Sequence, residues 1–487
     1  MTLLLLACVA APDSPPRDSP GCLDSVCDSD PGDSDSDPGD SDPGDSDSGN
    51  TETDSDSGPD STHTPASELC AEVEAFIPDY RDNIETWAAQ DALGRVEDPL
   101  LFVGSSSILR WEDLTWEYQD YPVVQRGFGG SQIGEVAYWA EALVLNNDPR
   151  AVVVYGGSND VAAGASVEVI VDRFRCLRAQ VGEGLGWDRP FFWISITPNP
   201  GNWDRWPTYE LVNAAVLALE ETDDFVYLDT ATVFLETGSP PVSTLYDSDQ
   251  IHLADEGYAL WNSVIRPGVE AVVPTDPPAV GGFGSGAMLL DLGPSNAGVG
   301  TPTAEDALGR TWNNWYSVDG GVEILAGERL GGLLRTDGVP TDVSLVLAGG
   351  FYAGGFTEGG LTDPDPALLG DLAVGSATGD FFFTNGNRVP GALMFDGLDP
   401  AASYALRVFA ARDTAELLVT SFRVRGVSET TQTLQVSGEG SGTGTANDDT
   451  IVTFEGVYPT PWGQIFLDVE ADTGTFGYVS LVELSPE

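Results

Sequence analysis

Between residues 100 and 228 the chain alternates short, almost wholly apolar runs with longer stretches of mixed character. The runs are Leu100-Leu101-Phe102-Val103, Val123-Val124, Ala151-Val152-Val153-Val154-Tyr155, Phe191-Phe192-Trp193-Ile194-Ser195-Ile196 and Phe225-Val226-Tyr227-Leu228. Their length and lack of polar alternation predict strands buried on both faces. The stretches 131–146, 166–181 and 206–221 have helix length, and Val167, Val169, Ile170, Phe174 and Leu177 fall on roughly one face. Alternation of this kind predicts a doubly wound α/β fold over 69–275. Its ligand site is expected beyond the carboxyl ends of the strands.

The texture changes at Pro274-Thr275-Asp276-Pro277-Pro278, and residues 276–280 read as a linker. Beyond it, Gly-rich, strand-length segments alternate polar and apolar positions, as in Tyr404-Ala405-Leu406-Arg407-Val408-Phe409, Ser421-Phe422-Arg423-Val424, Ile451-Val452-Thr453-Phe454 and Ile465-Phe466-Leu467-Asp468-Val469. Turn residues such as Asn385-Gly386-Asn387 separate them. Many short strands without clustered catalytic residue types predict an all-β sandwich, a jelly roll, over 281–487.

Residues 12–68 repeat Asp, Ser, Pro and Gly, with almost nothing to bury and, over 11–60, Arg17 as the only base. Like-charge repulsion then predicts an extended, disordered acidic tether. Its spacing matches neither an EF-hand loop nor the Gly-Gly-x-Gly-x-Asp β-helix repeat. Before it, residues 1–11 open with Met1-Thr2-Leu3-Leu4-Leu5-Leu6-Ala7-Cys8, which resembles the lipobox of a bacterial lipoprotein signal. That resemblance implies a lipid anchor on Cys8 and a place at the cell envelope or outside the cell; a cleaved secretory signal is the other reading. With Cys8 set aside, the five cysteines leave Cys22 with Cys27 and Cys70 with Cys176 as disulfide candidates in an oxidising compartment, or as free thiols.

The 487 residues carry 78 Asp or Glu against 20 Lys or Arg, a formal net charge of -58, and every one of the cations is Arg. The absence of Lys excludes a P-loop or Schiff-base lysine, and the acidity excludes a groove for nucleic acid. Membrane contact is expected only through the N-terminal anchor. The two histidines, His63 in the tether and His252 in the folded part, are too few for a zinc site built on several imidazoles. No cofactor is predicted; a carboxylate-bound Ca²⁺ at Asp363 and Asp365 competes with a solvated turn.

Polar clusters follow the predicted strands: Gly104-Ser105-Ser106-Ser107 after the first, Arg126-Gly127-Phe128-Gly129-Gly130-Ser131 after the second, Gly156-Gly157-Ser158-Asn159-Asp160 after the third. Asp249-Gln250-Ile251-His252 precedes the last helix. Acyl transfer needs a nucleophilic hydroxyl, a base for its proton, an acid to orient the base, and donors for the oxyanion. These clusters supply residue types for each part. No Gly-x-Ser-x-Gly elbow of the α/β-hydrolase kind is present.

Taken in order, the four clusters resemble the SGNH hydrolases, also called GDSL esterases and lipases, across the whole of 69–275. The resemblance implies a flavodoxin-like sheet, Ser106 as nucleophile, and Gly130 and Asn159 as oxyanion donors. His252 would be the base and Asp249 its orienting acid. Ser105 stands where the family's first block has Asp. The loop Pro198-Asn199-Pro200-Gly201-Asn202-Trp203-Asp204-Arg205-Trp206 places Trp203 and Trp206 either in the substrate pocket or against the following helix.

The C-terminal region resembles the galactose-binding-like modules attached to secreted carbohydrate esterases, through Leu398-Asp399-Pro400, Tyr404, Phe409 and Thr311-Trp312-Asn313-Asn314. This implies glycan binding, with Trp312, Trp315, Tyr316, Tyr352, Phe356 and Trp462 either stacking on sugar or filling the core. The expected function is an extracellular ester hydrolase acting through an acyl-enzyme, with acetylated polysaccharide as substrate. A lipase, phospholipase or thioesterase of the same family is one alternative. A non-catalytic glycan-binding surface protein is the other.

Overall fold

The computed structural model describes residues 63–487 apart from 75–77, 92–94, 278, 280–281, 295–299, 318–322, 325 and 386–390. The lipobox with Cys8, the Cys22 and Cys27 pair, most of the acidic tether and the Gly386-Asn387 turn lie outside the described residues. Residues 61–487 form one compact unit.

The five apolar runs become five parallel strands: β1 (Leu100–Gly104), β2 (Val123–Gly127), β3 (Ala151–Tyr155), β4 (Phe191–Ile194) and β5 (Val226–Leu228). They lie in the order β2-β1-β3-β4-β5. Successive strand residues point to opposite faces, so the sheet builds two cores. Leu101, Val103, Val152 and Val154 meet Ile170, Phe174 and Leu177 of the helix Val167–Leu185. On the other side Leu100, Phe102, Val153 and Phe192 meet Tyr258, Trp261 and Ile265 of the helix Asp255–Glu270.

Helix boundaries follow local chemistry. Ser166 caps Val167–Leu185 by accepting the Val169 N–H at 3.4 Å, and Gly186, at φ 102°, ends it. The stretch 131–146 is not one helix as expected. It divides into Ile133–Tyr138, Ala140–Leu143 and a 3₁₀ turn Leu145–Asn147, with the break at Trp139, whose indole N–H donates to the Asp79 carbonyl at 3.1 Å. Cys70 forms a disulfide with Cys176 of the helix Val167–Leu185. The adjoining helix Ala66–Leu69 packs there too, and His63 stacks on Trp187 at 3.7 Å and meets Asp224 at 2.8 Å. His252 is therefore not alone among histidines in the folded part: residues 63–68 join the compact unit instead of belonging to a free tether.

The C-terminal region is β-rich. Its strands are β6 (Met288–Pro294), β7 (Asn313–Ser317), β8 (Glu323–Ile324), β9 (Arg329–Leu330), β10 (Ser344–Gly349), β11 (Phe351–Gly354), β12 (Phe381–Asn385), β13 (Gly391–Asp396), β14 (Tyr404–Phe409), β15 (Leu418–Arg425), β16 (Glu429–Ser437), β17 (Val452–Val457), β18 (Ile465–Thr473), β19 (Phe476–Val479) and β20 (Leu481–Pro486). Among the described residues they form three sheets, β16-β15-β18-β13-β10-β9, β19-β12-β11-β8 and β17-β14-β20-β6-β7. Leu347, Phe382, Leu406, Leu467 and Leu484 contribute to one core shared by all three.

Trp312 and Trp315 are buried in this region, which takes them out of contact with a ligand. The Trp462 indole N–H donates to the Asp276 carbonyl at 3.1 Å, and the side chain of Phe356 lies outside the described residues. Asp365 caps the helix Pro366–Leu369 by accepting the Ala367 N–H at 2.8 Å.

The β-rich region is held against the parallel-sheet part at several places. The Trp116 ring meets Phe466 edge-on at 5.1 Å and packs on Val346, Ala348, Ala392 and Met394. Arg425 lies over the same indole at 4.6 Å and pairs with Asp113 at 2.8 Å. The linker joins the two: Asp276 donates its N–H to the Asp120 carbonyl, its carboxylate receives Arg150 at 2.6 Å, and its carbonyl accepts the Trp462 indole N–H.

Candidate active site

The carboxyl ends of β1 and β2 are shaped to seat a tight turn. Gly104 has φ 145°, and a Cβ there would lie 1.9 Å from the Tyr155 carbonyl oxygen of β3; a Cβ on Gly127 would lie 2.2 Å from the Leu109 backbone nitrogen. Glycine at both positions lets the short helix Ser106–Leu109 sit directly on the strand ends, with Ser106 as its first residue. Among the three consecutive serines, Ser105 is buried, while Ser106 and Ser107 line an open cleft.

Ser106 Oγ lies 2.9 Å from His252 Nε2, and His252 Nδ1 lies 2.6 Å from Asp249 Oδ2. A carboxylate can only accept, so Nδ1 carries the ring proton and the Nε2 lone pair faces the serine hydroxyl. Asp249 Oδ1 also accepts the backbone N–H groups of Ile251 at 2.9 Å and His252 at 3.0 Å. Partial burial pulls the Asp249 carboxyl up, but the hydrogen bonds from the His252 ring and these two N–H groups outweigh it and hold the group below the usual carboxylate range. The loop is fixed from outside as well: Gly201 N–H donates to the Gln250 carbonyl at 2.8 Å, and the Asp247 N–H donates to the His252 carbonyl at 2.8 Å.

Gly130 and Asn159 line the same cleft as Ser106 and His252. Asn159 sits in the helix Ser158–Ala162 and gives one amide hydrogen to the Ser131 carbonyl at 2.9 Å, leaving the second for a ligand. The four clusters singled out in the sequence thus converge on one place.

Several residues here had no assigned role in the sequence. Asp160, fully buried, accepts the Ile133 N–H at 3.0 Å and Arg173 Nη1 at 2.7 Å, and Arg173 also reaches Gln132 Oε1 at 3.0 Å. This network ties the Gly130 turn to the Asn159 helix; its one sequence signal was the Asp that closes Gly157-Ser158-Asn159-Asp160. Arg110 stands 3.7 Å from Asp247 and 3.9 Å from Asp249. The loop after β4 brings Asn199, Asn202 and Arg205 to the cleft, whereas Trp203 and Trp206 stack on each other at 6.2 Å, and Trp206 packs against the core.

The cleft has a volume of about 1070 Å³, and its far side is made by the β-rich region, including Tyr352, Thr384, Ala392, Arg423 and Glu470. Glu112 lies along it, and its carboxyl is pushed up to about 8, first by burial and then by the negative charges of Asp255, Asp113, Glu470 and Asp247. Among the described residues no group of three or more His, Cys, Asp or Glu is arranged to hold a metal ion.

Residues 99–260 match the model of the GDSL-like lipase/acylhydrolase family. No curated protein matches the chain. Similar solved structures include a GDSL-like lipase from Bacteroides thetaiotaomicron, 17% identical, covering 39% of this chain and 98% of that one, with a TM-score of 0.35. A lipase/acylhydrolase from Enterococcus faecalis is 14% identical over 35% of this chain and 95% of that one, at a TM-score of 0.31. A catalytic mutant of an acetylxylan esterase from Geobacillus stearothermophilus is 13% identical over 36% and 96%, at a TM-score of 0.32.

Proposed function

We propose that this chain is a serine ester hydrolase that works through an acyl-enzyme and removes acyl groups, acetyl foremost, from polysaccharide outside the cell. The observation that carries the proposal is the unbroken hydrogen-bond line from Asp249 through His252 to Ser106 at the mouth of a cleft. The family match over 99–260 supports acylhydrolase chemistry.

In this reading His252 Nε2 takes the Ser106 proton as Oγ attacks the ester carbonyl, and the Asp249 carboxylate stabilises the imidazolium that forms. The oxyanion is met by the N–H groups of Ser106 and Gly130 and by the second amide hydrogen of Asn159. The imidazolium gives its proton to the departing alcohol. Water, deprotonated by His252, then attacks the acyl-enzyme; as the acyl–Oγ bond breaks the imidazolium returns that proton to Ser106 Oγ, and the acid is released. The first proton transfer runs along the Ser106–His252 contact seen at 2.9 Å.

The N-terminal lipobox, the acidic tether and the oxidising conditions that Cys70 and Cys176 require all favour a lipid-anchored envelope or surface protein. The β-rich region is read as a galactose-binding-like jelly roll that engages glycan. The test is acetate release from p-nitrophenyl acetate and from acetylated polysaccharides, by wild type and by Ser106→Ala. Release that depends on Ser106 is expected from both substrates; a near-normal rate for Ser106→Ala would refute the assignment.

A further inference from the structure

The cleft is too large for an acetyl ester alone: about 1070 Å³ lies just above the roughly 300–1,000 Å³ range of small-molecule pockets. One wall carries Ser106 and His252, so that wall and the oxyanion donors account for the acyl half of the ester. The opposite wall belongs to the β-rich region: the outer face of the strands β15-β18-β13-β10, with Tyr352 of β11 and Thr384 of β12 from the neighbouring sheet beside it.

Register explains why this face lines the cleft. Gly349 pairs with Ala392, Ala392 with Asp468, and Asp468 with Arg423, so these residues form one transverse row across four strands. Their neighbours Phe422, Leu393 and Leu467 point the other way into the core. At one end of the outer face Trp116 covers Val346, Ala348, Ala392, Met394 and Phe466. Beyond the part that Trp116 covers, the wall presents Gly350 and the polar side chains of Tyr352, Arg423 and Glu470 to the cleft.

The wall is held rigidly to the rest of the cleft. Arg425, buried, bridges Asp468 at 2.8 Å and Asp113 at 2.8 Å, and Asp468 also receives Arg423 Nε at 2.8 Å. Asp113 belongs to the parallel-sheet part. A chain of ion pairs therefore runs from the catalytic half to Arg423. Arg423 reaches Glu470 only at 3.9 Å, which sets a guanidinium donor beside a carboxylate acceptor on the same wall.

We infer that this wall, over Gly350, Tyr352, Arg423 and Glu470, binds the alcohol half of the ester, and that this alcohol is a neutral oligosaccharide chain. The inference rests on the ester-hydrolase reading above and makes the β-rich region part of the reaction site, not a targeting module held apart from it. Carboxyl groups lining the cleft outnumber guanidinium groups eight to four, and still six to four with the raised Glu112 and Glu117 set aside, which disfavours an anionic chain. A cation would call for acceptors alone, whereas a polyhydroxyl ligand uses the donors and acceptors found together here. Glu112, neutral over much of the pH range, adds a group that both donates and accepts.

The test is isothermal titration of the full chain with xylohexaose, mannohexaose, cellohexaose and hexagalacturonate, run beside p-nitrophenyl acetate hydrolysis. At least one neutral hexamer should bind. Arg423→Ala and Glu470→Gln should each weaken it about tenfold or more, since hydrogen bonds to charged groups are worth roughly 1.5–3 kcal/mol, and Tyr352→Ala, which removes a ring and a hydroxyl from the wall, should weaken it as well. The ratio of kcat/KM for the acetylated form of that oligosaccharide to kcat/KM for p-nitrophenyl acetate should fall with the affinity. Three variants guard against one that fails to fold, as read by circular dichroism. No binding of any neutral hexamer, binding unaltered in the folded variants, or preferred binding of hexagalacturonate would overturn the inference. Binding that follows the wall variants without Ser106-dependent hydrolysis would instead refute the esterase reading and leave the wall in place.

Discussion

Ser106 and His252 stand 146 residues apart in the chain, yet Ser106 Oγ and His252 Nε2 meet at 2.9 Å. The contact joins the end of the first strand to the loop before the helix Asp255–Glu270, and Asp249 completes it three residues upstream of the histidine. Because Asp249 fixes the tautomer, its loss should hurt turnover without removing the nucleophile. Asp249→Asn is expected to lower kcat on the order of 10⁴-fold with KM for p-nitrophenyl acetate nearly unaltered. Steady-state kinetics decides this, and a loss confined to KM would contradict the role.

Asn159 holds two tasks with one amide, since the hydrogen it gives Ser131 also braces the turn that carries Gly130. Asn159→Ala should cost on the order of 10² to 10³ in kcat if the second hydrogen meets the oxyanion. Asn159→Asp keeps the size but presents only acceptors, so it should be at least as damaging. A rate within a few-fold of wild type for either would remove Asn159 from the oxyanion site.

Glu112 makes the cleft sensitive to alkaline pH. Its folded-state carboxyl is raised to about 8, chiefly by burial and then by Asp255, Asp113, Glu470 and Asp247, with Arg423 beside Glu470 and Arg110 beside Asp247 as the nearby cations. For a raised carboxyl the neutral form is favoured by folding, so its stabilising contribution is complete below the ordinary carboxyl range and is lost as pH climbs through about 8. The melting temperature should therefore fall more steeply between acidic and alkaline pH in wild type than in Glu112→Gln. KM for a neutral acetylated oligosaccharide should rise over the same window in wild type only. Parallel pH profiles for the two proteins would refute this.

The Cys70–Cys176 disulfide closes a separation of 106 residues and ties the N-terminal helical segment to the helix Val167–Leu185. Cross-links of this span restrict the unfolded chain, and their removal from extracellular domains typically costs about 2–5 kcal/mol. The Cys70→Ser, Cys176→Ser double variant should unfold at lower denaturant concentration than wild type. Added reductant should lower the wild-type midpoint but not the variant's. Since neither cysteine lines the cleft, kcat at moderate temperature should stay close to wild type.

Much of the parallel-sheet part was legible because its signals are local. Runs such as Ala151–Tyr155, short, rich in β-branched residues and bounded by polar clusters, favour strands buried on both faces, and the clusters after them carry the turn residues and polar groups that strand ends require. The order of those clusters also anticipated which side chains would gather, including Ser106 among three serines. The sequence by itself likewise determined the acidity, the lack of lysine and the β texture beyond residue 288. What only tertiary structure decided were relations between elements distant in the chain. Trp203 and Trp206 turn from the cleft to each other, Trp312 and Trp315 go inside, and residues 63–68 join the fold through His63 and Trp187. Most of all, the wall holding Arg423 and Glu470 faces Ser106 because Trp116 fits against Phe466 and Arg425 finds Asp113. Periodicity specifies which face of a strand is apolar. It carries no record of which surface, hundreds of residues away, will cover that face, since this depends on the shape and charge of two folded parts at once.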